Sequence, residues 1–178
     1  MKKILFTIIS IFLICGCNKI NNTPTKQVET FFNKYQTLDA DVIQDLDRVI
    51  SEEVVFDTNA RDKYRELIKN QYKNLTYKIK DEFIDGDIAT VTAEITVIDY
   101  GKILTETEAY KNNNIEEFQD EDGNYDSVKY SNYAIKKLES AKDKITYTVE
   151  LSLTKQNDKW NLNNISEDTE DKILGIYR

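Results

Sequence analysis

Cys15 and Cys17, the two cysteines of this 178-residue chain, stand one residue apart, a spacing that could serve a metal or a redox cycle. A metal site needs further ligands, and the chain has no other cysteine and no histidine. Without histidine there is no ordinary general base near neutral pH, and no imidazole-dependent serine or cysteine triad. Carboxylates and phenols remain. Asp81 falls in the alternation row of Tyr77, Ile79 and Phe83, Asp99 continues the row of Val91 to Val97, and Tyr147 could add a phenol. A carboxylate among apolar neighbours holds a raised pKa and can act as a base. A plainer reading of the same residues is that a bulge turns Asp81 outward and Asp99 simply ends its strand. The acidic stretch Asp120 to Asp126 invites calcium, but taking Gly123 as the sixth loop position puts Phe118 first, where an oxygen ligand is required. No metal, no cofactor and no catalytic residue is expected.

The cysteines have a better explanation in what precedes them. Lys2 and Lys3 open the chain, and Ile4 to Ile14 form an apolar run broken only by Thr7 and Ser10. This is the layout of an export signal, and it falls short of the roughly 20 apolar residues that a spanning helix wants. Ile14-Cys15-Gly16-Cys17 resembles the bacterial lipobox: a branched apolar residue, a tolerant position, a small residue, then cysteine. Bulky Ile14 rules out Cys15 as the modified residue. The resemblance implies a diacylglycerol thioether and acylation (palmitate or a similar chain) on Cys17, cleavage just before it, and the loss of Cys15 with the signal. Two or more acyl chains hold a protein to a bilayer stably. Residues 1–16 are therefore expected to be a signal peptide and residues 17–25 a lipidated cysteine with a flexible tether.

The net charge is −8. Residues 1–16 hold only Lys2 and Lys3 as charged groups, so the mature chain keeps 22 basic residues against 32 acidic, a net −10. That sign argues against nucleic acid, which needs a basic stripe. It also leaves the lipid as the route to an anionic membrane.

Any pocket residue must be positioned by the elements that follow. Val28, Phe31, Phe32, Tyr35 and Leu38 have helical spacing, as do Val42, Ile43, Leu46, Val49 and Ile50 after Asp39 and Asp41. A third helix, capped by Thr58 or Asn59, would bury Tyr64, Leu67, Ile68 and Tyr72. The period then becomes two, through a hairpin turning at Asp85-Gly86-Asp87. Residues 103–144 carry helical signals (Leu104, Tyr110, Ile115, Phe118, then Val128, Ala134, Ile135, Leu138 and Ala141) around an acidic loop. A second hairpin runs from Ile145 to Leu162 and turns at Asn157-Asp158. Tyr125, Tyr130 and Tyr133 could form an exposed aromatic patch for a glycan or protein, although tyrosines at this spacing also serve as the wet edge of a core. Residues 26–178 are expected to form one α+β domain: leading helices on a curved antiparallel sheet, with a helical insert between the second and third long strands.

With its three leading helices, "YKIKDEFIDGDIATVTAEITV" and "ITYTVELSLTKQNDKWNL", the chain resembles the nuclear transport factor 2-like (cystatin-like) fold found in small exported lipoproteins. The resemblance implies a conical pocket between sheet and helices, for which Tyr77, Asp81, Asp99 and Tyr147 are the ligand-binding candidates. It does not imply one function. The expectation is a lipid-anchored extracytoplasmic domain that binds a small ligand or an envelope protein and is not an enzyme. The alternatives are a small isomerase- or hydrolase-like enzyme using a pocket Asp and Tyr, and an accessory subunit of an envelope or secretion assembly.

Overall fold

Thr23 accepts the amide of Lys26 and Pro24 occupies the first turn of a helix, so the fold begins inside the segment that composition reads as tether. The structure, a computed structural model, describes residues 22–52 and 57–178. The signal peptide and Cys17 lie outside the described residues. Helix α1 spans Pro24–Gln36, α2 Ala40–Glu52 and α3 Thr58–Asn74; Asp57, not Thr58 or Asn59, caps α3. Strands β1 (Thr76–Asp85) and β2 (Ile88–Ile98) form the first hairpin. The insert consists of α4 (Tyr100–Asn113), a 3-10 turn (Ile115–Phe118) and α5 (Ser127–Leu138). Strands β3 (Lys144–Gln156) and β4 (Lys159–Leu162) follow, and α6 (Glu167–Leu174) closes the fold.

The four strands make one open, curved antiparallel sheet in the order β1-β2-β3-β4. Its inner face is filled: Val91, Ala93, Ile95, Val97, Val149, Leu151 and Leu153 are buried. Alternation explains this, because those residues face one way while Thr90, Thr92, Thr96, Thr146, Thr148 and Ser152 face the other. Helices α1, α3 and α6 cover the inner face, whereas α2 packs on α3 as an outer layer. α6 is an addition to the three leading helices.

Both hairpin turns follow their chemistry. Gly86, at φ +59°, supplies the left-handed position of the first, and Asn157 and Asp158, at +51° and +61°, that of the second. One register shift changes the outcome for β1. Tyr77 and Ile79 pair with Ile95 and Ala93, but a bulge at Lys80 then sets Asp81 against Thr92 and Glu82 against Val91. Simple alternation therefore fails beyond Ile79: Asp81 and Phe83 lie on the outer face, and Glu82 and Ile84 turn inward.

A buried polar joint ties helices to sheet. Gln71, wholly buried on α3, donates to the carbonyls of Ile98 and Leu174, both at 2.8 Å, and accepts the Ile98 amide at 2.9 Å. Every polar atom of that amide is engaged, which is what permits its burial. Gly175 ends α6 at φ +72° with its backbone against Ile98 and Gln71, where a Cβ would collide.

Candidate functional site

The four pocket candidates do not gather in one pocket; only Asp99 and Tyr147 lie close enough for the charge of one to act on the other. Tyr77 and Tyr147 flank Ile95 on the inner face, one from each neighbouring strand. The Tyr77 ring stacks on Phe32 at 4.8 Å. Tyr147 donates its proton to the Tyr177 carbonyl at 3.0 Å, and burial, reinforced by the charge of Asp99, pushes its phenol pKa up. Asp99 caps α4 by accepting the Lys102 amide at 2.9 Å and binds the Arg178 guanidinium at 2.7 Å. Asp81, on the opposite face, accepts the amide of Glu82. Each carboxylate thus has a local structural partner, and neither faces a phenol across an enclosed space.

Hollows form instead within the helical layers, on two sides of α3. One, of about 280 Å³, lies between α1, α2, α3 and α6. Tyr35, Tyr64 and Tyr72 line it together with Asp45, Arg48 and Glu170. The Tyr35 and Tyr72 rings meet edge to face at 4.9 Å. Tyr72 is only 8% exposed. Burial, then Glu170 and Asp45, pushes the Tyr35 phenol up to about 12, and burial drives that of Tyr72 above the ordinary range as well. The hollow is therefore walled by neutral aromatic rings under a negative potential. Arg48 offsets this only in part, because it is shared between Asp45 at 3.9 Å and Glu52 at 3.6 Å.

The second hollow, about 220 Å³, lies between α3, α4, α5 and the C-terminal residues and is mostly apolar. Its phenols are engaged: Tyr100 donates to the Leu67 carbonyl at 3.3 Å, and Tyr130 to Glu108 at 3.0 Å. Tyr64 and Ile68 border both hollows.

The insert carries the tyrosine cluster that spacing brings to attention. Phe118 is its buried centre, touched edge-on by Tyr130 at 5.6 Å and Tyr133 at 5.3 Å, while Tyr110 stacks on Tyr133 at 5.1 Å. Lys111 lies over Tyr130 at 4.8 Å and pairs with Glu108 at 2.6 Å. Tyr125 is half exposed; Tyr130 and Tyr133 are partly buried as the edge of this small core. The acidic loop is explained by its own turns: Asp120 accepts the amides of Asp122 and Asn124, and Asp126 caps α5. Among the described residues no carboxylates gather as a metal site.

Sequence reasoning assigned Tyr35, Tyr64 and Tyr72 to core stripes and gave Asp45 and Glu170 no role. The usable signal was three phenols on facing stripes, because a hydroxyl in a core position needs somewhere to point.

No protein-family model matches the chain, and no curated protein does. Among solved structures it is similar to the crystal structure of a provisionally assigned lipoprotein (ycdA) from Bacillus subtilis, at 21% identity and a TM-score of 0.40. The match covers 68% of this chain and 39% of that one, so the chain spans about two fifths of that protein's length. Among the described residues no helix is long and apolar enough to cross a membrane.

Proposed function

We propose that this is an extracytoplasmic binding module held to the membrane by lipid on Cys17. One observation carries the anchoring: the box Ile14-Cys15-Gly16-Cys17 closes a short apolar run and stands only four residues ahead of Asn22. Asn22 already belongs to the domain, since it accepts the Trp160 amide at 2.5 Å and donates to the Trp160 carbonyl at 3.3 Å. The helices-on-sheet arrangement supports the resemblance to nuclear transport factor 2-like domains, and the hollow beside Tyr72, among the helices, is the ligand space of this reading.

Binding is favoured over catalysis because Tyr147, Asp81 and Asp99 are committed to structural bonds, while the hollow beside Tyr72 is open space lined by aromatic rings. Its aromatic walls and acidic rim suit a small organic cation on an apolar body, held by ring faces and the carboxylates of Asp45 and Glu170. Cells fed labelled fatty acid test the anchor. The wild-type chain is expected to take up label and sediment with membranes, and Cys17→Ser to do neither; equal labelling of the two would overturn the reading.

A further inference from the structure

We propose that the β1–β2 hairpin end of the sheet rests on the lipid surface in which the chain is anchored, an inference that rests on lipid attachment at Cys17. Phe83, Ile88 and Ile84 are 66%, 59% and 48% exposed, and all three belong to this one hairpin tip. Phe83 and Ile88 lie on the outer face and Ile84 on the inner, so the tip offers apolar side chains to both sides. The chain enters the domain at the same end. Asn22 clasps Trp160, and Asn22, Pro24, Ile84 and Trp160 border one shared hollow. The Thr25 amide and hydroxyl donate to Glu82 at 2.8 and 2.7 Å, and the Lys155 amide donates to the Asp87 carbonyl at 2.8 Å. These bonds gather the start of α1, the first hairpin and the β3–β4 turn into one end.

Chain length fixes what this end can meet. From Cys17 to Asn22 the chain reaches at most about 17 Å when fully extended. The sheet is longer: β2, at eleven residues, spans about 35 Å, and α4 departs from its far end. A lipid on Cys17 therefore keeps the hairpin end near the headgroups and the insert away from them. Phe and Ile side chains gain by entering the headgroup boundary, whereas Asp85 and Asp87 at the turn limit the contact to a shallow one. The chain's acidity makes free binding weak, and a four-residue tether supplies the local concentration that makes a weak contact populated.

The test uses lipidated chain extracted from membranes and reconstituted in phosphatidylcholine vesicles whose acyl chains carry nitroxide quenchers. With Cys15 removed and the Cys17 sulfur in a thioether, a cysteine introduced as Ile88→Cys, or as Phe83→Cys, is the free thiol for a bimane label. Asn124→Cys on the insert is the comparison. Quenching several-fold stronger at positions 88 and 83 than at 124 is expected. Equal quenching at both ends, or none at position 88 in a chain whose mass confirms the lipid, overturns the orientation alone. A chain that carries no lipid on Cys17 overturns this inference and the anchor together.

Discussion

At one end of the sheet a two-residue turn leaves Phe83, Ile84 and Ile88 in the open; at the other, the excursion through α4 and α5 folds Tyr110, Tyr130 and Tyr133 around Phe118. Both ends are rich in apolar side chains, and the contrast between them is one of chain length. Some forty residues can close on themselves and give Phe118 a private core, with Lys111 and Glu108 satisfying each other at its edge. A tight hairpin has no such slack, so its apolar residues stay exposed unless something outside the chain covers them. The proposed bilayer contact supplies the cover where the tether ends. In that proposal the self-contained insert is the end presented outward.

Gln71 ties α3 to the insert end of β2 and to the end of α6, and its loss has the largest expected effect. Gln71→Leu would strip partners from the Ile98 amide and the Ile98 and Leu174 carbonyls, costing on the order of 4 kcal/mol in urea unfolding, with the sheet and the helices that cover it losing protection together. A loss below about 1 kcal/mol would show that water replaces the side chain and that helices and sheet are not tied there. Phe118→Ala separates the small core of the insert from the main core. About 3 kcal/mol should be lost, with faster hydrogen exchange confined to α4 and α5 while β2 and β3 amides stay protected. Sheet amides exchanging equally fast would erase the distinction between a private core and the main one.

Legibility in the sequence followed the same line between local and non-local causes. The hairpins were readable because Gly86 and Asn157-Asp158 fix their turns locally, and the inner rows of β2 and β3 because alternation is unbroken there. Alternation alone sets Asp81 on the inner row, and the plainer reading, a bulge that turns it outward, is what the fold contains: one extra residue at Lys80 reverses the parity after it. The early start of α1 was announced, by Thr23 ahead of Pro24. So was α6, by Ser166 as cap, the acids Glu167, Asp168 and Glu170 behind it, and Gly175 after its last turn. Gln71 could not be read, because its three partners come from β2 and α6, far away in sequence. The hollow beside Tyr72 was hidden for the same reason: it belongs to four helices at once.

Between the two ends, the hollow makes finer predictions. Tyr35 titrates near 12 in the fold and near 10 once unfolded, so its contribution to stability is whole below pH 10 and is lost as pH rises toward 12. In Tyr35→Phe the fall over that window should be shallower by up to one proton, about 1.4 kcal/mol per pH unit; an unchanged slope would mean the ring is more open to water than its burial indicates. Benzyltrimethylammonium should bind wild-type chain about tenfold more tightly than Glu170→Gln or Tyr72→Leu, by calorimetry, and more tightly than its uncharged carbon analogue. Equal binding of the neutral analogue would assign the hollow to apolar ligands, as the second hollow already suggests by its walls. The smallest effect is expected at the hairpin: Phe83→Ser with Ile88→Ser should shift stability by about 0.5 kcal/mol or less. A large loss would show those residues packed in the fold and would remove their need for a lipid cover.

The anchored orientation depends on what is attached to Cys17, and the intact mass of protein extracted from its own membranes reads that directly. The account predicts a chain of residues 17–178 whose excess mass, confined to the N-terminal cysteine, equals a diacylglyceryl group with or without a further acyl chain. A chain still beginning at Met1, or cleaved elsewhere and free of lipid, would contradict it.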